Sequence, residues 1–68
     1  MYYVTFSGRQ VVIHASKTGV RHNVYYVNHD IVSVQVNGDE FYAIGDKQTT
    51  TFRRTGEYSF TRVAQHFN

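Results

Sequence analysis

Turn-forming residues punctuate this chain at nearly even intervals. Ser7-Gly8, Lys17-Thr18-Gly19, Asn28-His29-Asp30, Asn37-Gly38, Gly45-Asp46 and Thr55-Gly56 fall about 8–11 residues apart, the rhythm of an all-β sandwich or barrel. Asn37-Gly38 is the strongest of these signals. Both residues tolerate the positive φ that a type I′ hairpin turn requires. The intervals predict strands over residues 2–6, 9–15, 21–27, 31–36, 40–45, 48–54 and 57–61.

Several of these runs alternate as a half-buried strand should. Val32, Val34 and Val36 share one face, with Ser33 and Gln35 on the other. Tyr2, Val4 and Phe6 share a face, as do Val11, Ile13 and Ala15. Val24 and Tyr26 point one way, Tyr25 and Val27 the other. That third strand has no polar face, which makes it either central or the bearer of an exposed aromatic patch. The alternation places Ile13, Val24, Val32, Val34, Val36, Ile44 and Phe52 in the core.

The end of the chain changes period. Phe60, Val63, Ala64 and Phe67 fall at i, i+3, i+4 and i+7, the stripe of an amphipathic helix. Ser59 or Thr61 is placed to cap it, with a continued strand as the rival reading. The expected fold is all-β: a small antiparallel meander curled into an SH3-like barrel or a strongly curved sheet, with a short C-terminal helix plugging one end. Curling buries one face and removes sheet edges.

Composition agrees. The chain has no leucine, proline, tryptophan or cysteine, but ten Val, three Ile, seven Thr, six Tyr and five Phe. β-Branched and aromatic side chains fit pleated surfaces. The 68 residues make one domain, residues 1–68. A chain this short buries only about 60% of the surface that it exposes when unfolded. A single core of this size supplies roughly 3–5 kcal/mol, and with no cysteine there is no disulfide or Cys-based zinc site to add to it.

No apolar run approaches about 18 residues, so no transmembrane helix and no membrane partner are expected. The start, "MYYVTFSGRQ", lacks the basic head and apolar stretch of a signal peptide. The expected location is cytoplasmic.

Catalytic signals are weak. The carboxylates Asp30, Asp39, Glu40, Asp46 and Glu57 all lie in or beside turns, where acids are solvated and serve turn hydrogen bonds. Neighbours on a strand, Asp39 and Glu40 point to opposite faces and make a poor acid–base pair. The histidines His14, His22, His29 and His66 show no metal-ligand spacing and read as surface or interface residues. There is no nucleophile elbow and no glycine-rich phosphate loop. The chain is therefore read as a non-enzyme without metal or cofactor.

Binding is the stronger lead. Arginine outnumbers lysine five to two, and tyrosine is abundant. Protein interfaces are rich in Tyr, Phe and Arg and poor in Lys and Glu. The candidate binding residues are Arg53, Arg54, Tyr25, Tyr26, Arg21, Tyr42 and Arg62. Arg53-Arg54 is expected at an exposed hairpin end, with Thr55-Gly56 as the turn and Gly56 at positive φ. The leading reading is a small accessory or inhibitory module, of the kind that phages and mobile elements use, that masks or modulates a larger protein or protein complex. The alternative is a nucleic-acid-binding barrel, with Tyr25, Tyr26, Tyr42 and Phe52 as stacking platforms and arginines on phosphates. The net charge of +2 counts against it. Homodimerisation is a further expectation, because a dimer would cover surplus aromatic surface on the third strand.

Overall fold

The computed structural model describes residues 1–68 as seven strands. They are β1 (Tyr2–Ser7), β2 (Gln10–Ala15), β3 (Arg21–Tyr26), β4 (Ser33–Asn37), β5 (Glu40–Ile44), β6 (Gln48–Arg54) and β7 (Phe60–Phe67). Each strand pairs antiparallel with its sequence neighbour, except across the β3–β4 boundary. The result is two sheets, β1-β2-β3 and β4-β5-β6-β7. The meander is thus present, but it does not close into a barrel.

The break comes at residues 27–32. Val27 donates its N–H to the Arg9 carbonyl and Ile31 to the Gly8 carbonyl, at 2.9 and 2.8 Å. These bonds turn the chain around the β1–β2 hairpin tip instead of letting β4 continue the first sheet. Val27, His29 and Ile31 are buried in the crossing.

The two sheets share one core. Val11 and Ile13 of β2 face Phe41 and Ala43 of β5, Phe52 of β6 and Phe60 of β7. Phe41 and Phe52 stack at 4.8 Å, and Phe60 meets Phe41 edge-on at 5.0 Å. Each such side chain contributes roughly 1.5–3 kcal/mol when fully buried. Of the expected core, Ile13 and Phe52 are buried, while Val24, Val34 and Ile44 are half-buried. Val32 and Val36 are instead 58% and 47% exposed. Val36 lies near the end of β4, an edge strand of its sheet, and Val32 just before its start.

Two hairpins share one turn geometry. Ser7 pairs with Gln10 and Asn37 with Glu40, so the two-residue loops are Gly8-Arg9 and Gly38-Asp39. Only the glycines have positive φ, 61° and 63°. That is the type II′ pattern, with Gly first, not a type I′ turn on Asn37-Gly38. The shift by one residue sends Asn37 into the ladder and Asp39 to the tip.

The C-terminal segment is a strand, not a helix. β7 pairs with β6 from Arg54↔Phe60 to Gln48↔Phe67, with one irregularity: Thr51 faces Ala64 while Phe52 faces Arg62. Val63 is the extra residue of a β-bulge. A bulge breaks the period of two, and that break is what makes the apolar residues fall at helical spacing. Gly56 has no positive φ. The β6–β7 connection is the five-residue loop Thr55–Ser59, closed by Thr55 N–H donating to the Ser59 carbonyl at 2.8 Å. Residues 57–59 are accordingly loop, not strand.

Candidate functional site

The seven candidate residues do not form one patch. Tyr25 points into the core: its ring lies against Phe52 and Phe60, and its hydroxyl accepts the Phe60 N–H at 2.8 Å. Arg62 stands exposed on β7. Tyr42 and Arg53 lie on the outer face of the second sheet, Arg54 on its inner rim, and Arg21 and Tyr26 on the outer face of the first.

Arg53 and Arg54 have acids waiting for them. Strand register sets Glu40 opposite Arg53. The Arg53 Nε and Nη2 groups both donate to Glu40 Oε2, at 3.1 and 3.0 Å. Arg54 Nη2 reaches Asp39 Oδ1 at 2.9 Å, and its guanidinium lies 5.9 Å over the Tyr2 ring. The adjacent acids Asp39, in the β4–β5 turn, and Glu40, at the start of β5, therefore pair face by face with the adjacent arginines at the end of β6. Their sequence distance hid this, since no acid but Glu57 lies near the arginines along the chain. Tyr2 completes the rim, donating its hydroxyl to the Gly38 carbonyl at 3.1 Å. Burial raises the Tyr2 pKa; Arg54 opposes that rise and Asp39 adds to it.

The outer face of the first sheet is different in kind. Register places Tyr3 and Thr5 of β1, Gln10, Val12 and His14 of β2, and Arg21, Val24 and Tyr26 of β3 on it. Val12 at its centre is buried, whereas Tyr3 is 40% and Tyr26 70% exposed. The His14 ring stacks on Tyr3 at 4.7 Å. Its Nδ1 faces the Gly19 carbonyl at 3.1 Å and its Nε2 the Thr5 hydroxyl at 2.8 Å. A carbonyl only accepts, so Nδ1–H donates to Gly19 and the Thr5 hydroxyl donates to Nε2. The imidazole is therefore held flat and fixed. Opposite it on β3, the bulged residue is His22, which leaves the face and stacks on Tyr58 at 3.9 Å.

No acidic residue occurs before Asp30, and Asp30 is bound to Arg9 at 3.0 Å. Arg21 and Lys17 thus have no carboxylate partner. Sequence reasoning named Arg21 and Tyr26 but missed Tyr3 and His14. The available signal was the second set of alternating positions on β1 and β2, Tyr3-Thr5 and Val12-His14.

One end of the molecule carries a polar cleft of about 300 Å³ between the β1–β2 tip, the crossing loop and the β5–β6 turn, with no hydrophobic lining residue. His29 forms its floor. Its Nδ1–H donates to the Asp30 carbonyl at 3.0 Å, and the Thr50 hydroxyl donates to its Nε2 at 2.9 Å. His29 is a satisfied core histidine, contrary to the expectation of a surface residue. Gln65 and Asn68 staple the same end, through Asn28, Gln48 and the Gly45 carbonyl.

Compared with protein-family models, curated proteins and solved structures, the chain matches none.

Proposed function

We propose that the chain is a non-catalytic binding module, accessory or inhibitory in role, that docks on a larger protein through the outer face of its first sheet. The observation that carries this is the make-up of that face: a buried valine centre, the stacked rings of Tyr3 and His14, the exposed ring of Tyr26, one unpaired Arg21 and no acid. Rigid aromatics and an arginine fork give large contact area at low entropic cost. The contact residues proposed are Arg21 and Tyr26 with Tyr3 and His14. Arg53, Arg54 and Tyr42 form a secondary surface, because the charge of both arginines is already answered by Glu40 and Asp39.

A second reading has its own observation. Residues 1–29 contain Arg9, Lys17 and Arg21 and no acid, so a nucleic-acid strand would meet no repulsion there. It ranks second because only one arginine sits on the face itself, and phosphate binding draws its strength from several cations acting together.

Affinity capture from the host extract tests the first reading. The wild-type chain retains a protein that the Arg21→Ala, Tyr26→Ala variant, equally folded, loses. Retention by both forms removes this face from the reading. Binding to single- and double-stranded oligonucleotides over a salt series tests the second: a steep salt slope supports it, and no binding at low salt removes it.

A further inference from the structure

Three clefts indent the surface, and they differ in charge and in lining. The polar cleft over His29 contains Asp30 and Asp46 beside its cations. A second, at the Arg54 hairpin end, contains Asp39 and Glu57. Neither has a hydrophobic lining residue. The third has a volume of about 430 Å³ and is lined by Met1, Ala15, Lys17, Thr18, His22 and Tyr58. Half of these residues are hydrophobic and none is acidic. Glu57, next to Tyr58 along the chain, lines the second cleft instead.

The third cleft is assembled from separate parts of the chain and fixed on each side. The Ser16 N–H donates to the Met1 carbonyl at 3.1 Å and the Gly19 N–H to the Ala15 carbonyl at 2.8 Å, which holds the β2–β3 connection. Asn23 Nδ2 donates to the Tyr58 carbonyl at 2.8 Å and ties the β6–β7 loop to β3. The bulge in the β2–β3 pairing then supplies the imidazole. A regular strand would set His22 on the outer face with Val24 and Tyr26. The extra residue turns it into the cleft instead, where its ring lies flat on Tyr58 at 3.9 Å. Bulges re-aim side chains in this way, often beside functional sites.

We propose that this cleft binds a small organic anion, its charged group held by Lys17, His22 and the Thr18 hydroxyl and its apolar body set against Ala15 and the Tyr58 ring. The polar groups are free to receive it. The Lys17 ammonium has no carboxylate partner. Hydrogen bonds within the chain occupy the rings of His14 and His29 but not that of His22, and the hydroxyls of Tyr2, Tyr25 and Tyr42 but not that of Tyr58. Thr18 Oγ1 accepts the Val20 N–H at 3.3 Å, which leaves its own proton to donate. A few convergent polar groups beside an apolar floor are the make-up of a small-molecule site, and the volume falls within the usual range of about 300–1,000 Å³. Charge selects the sign of the ligand. A cation would meet Lys17 with no carboxylate to hold it, whereas an anion gains a charge-assisted hydrogen bond. Tyr3, His14, Arg21 and Tyr26 do not line this cleft, so it and the proposed protein-docking face can fail independently.

Phenyl phosphate is the probe, with phenol as its uncharged counterpart and inorganic phosphate as the charge without the ring. Titrated into the isotope-labelled full chain and followed by NMR, phenyl phosphate is expected to give saturable shifts confined to Ala15–Asn23 and Tyr58. Phenol is expected to bind about tenfold more weakly or worse, the worth of one hydrogen bond to a charged group. Inorganic phosphate is expected to shift the same residues at higher concentration. Lys17→Gln and His22→Gln, both at exposed positions, are expected to keep the wild-type spectrum elsewhere and to weaken phenyl phosphate binding by about threefold to tenfold each. The absence of saturable shifts overturns the proposal, as do shifts centred on Arg9 or Arg54. Equal affinity for phenol and phenyl phosphate, or unchanged affinity in both variants, overturns it as well.

Discussion

Glu40 and Arg53 stand directly opposite each other on β5 and β6, joined by two guanidinium donors to one carboxylate oxygen. One residue along, Asp39 and Arg54 repeat the pairing on the other side of the sheet. The two ion pairs lock the register of this hairpin end, because a one-residue slip would carry each charge to the wrong face.

The energy involved is modest. The Arg53 side chain is 61% exposed and that of Glu40 29%, so solvent screens much of the attraction. A double-mutant cycle on Glu40→Ala and Arg53→Ala should give a coupling of about 0.3–1 kcal/mol, shrinking as salt is added. The swap Glu40→Arg with Arg53→Glu should recover most of the stability that either single reversal loses. Zero coupling at low salt would make the pair incidental to folding.

Gly45 is a close approach that no other residue allows. A Cβ there would lie 2.6 Å from both the Asp30 carbonyl oxygen and His29 Nδ1. Gly45→Ala must therefore push the crossing loop off the β5–β6 turn, at a cost of about 1–3 kcal/mol. Gly8→Ala meets no atom within 4 Å and suffers only its φ of +61°, a penalty of about 1–2 kcal/mol. Urea unfolding should rank Gly45→Ala as the more damaging; the reverse order would mean that the loop yields freely.

Core assignment can be tested by contrast. Ile13 has no accessible surface and Val36 is 47% exposed. Ile13→Ala should cost about 2–5 kcal/mol, enough to unfold a domain of this size, while Val36→Ala should stay within about 0.5 kcal/mol. Equal losses in thermal melts would contradict the two-sheet core.

The contrast between these two residues also shows what was legible beforehand. Alternation and turn spacing read from sequence located the first six strands closely, because period two and glycine-bearing turns are local properties. Which strand would be an edge was not local. Val32, Val34 and Val36 alternate as well as Val11 and Ile13 do, yet β4 is an edge strand and β2 is central. The bulge at Val63 imitated a helical stripe, and the glycine turns were misplaced by one residue because Asn37-Gly38 and Gly38-Asp39 both suit a hairpin. Arg53 and Arg54 were correctly placed near an exposed hairpin end, but their partners lie across a strand pair and leave no mark along the chain. The His14–Tyr3 stack depends on β1–β2 register in the same way.

Tyr2 gives the molecule an alkaline limit. Its pKa is raised above the ordinary 10.0 on folding, first by burial. Folding therefore favours the neutral phenol, which also donates to Gly38. That contribution is complete below pH 10.0 and is lost as pH climbs from there through the raised folded value. Chemical denaturation should show wild type losing its advantage over Tyr2→Phe across this window. A constant difference between the two at neutral and alkaline pH would mean that the hydroxyl does not titrate with folding.

The placement of the binding face is tested most directly by hydrogen exchange on the chain when bound to the protein that it captures. The expected footprint is slowed exchange over Tyr2–Ser7 and Arg21–Tyr26, with Gln48–Arg54 unchanged. Protection over Gln48–Arg54 with β1 and β3 unchanged would contradict the assignment and return the site to Arg53 and Arg54.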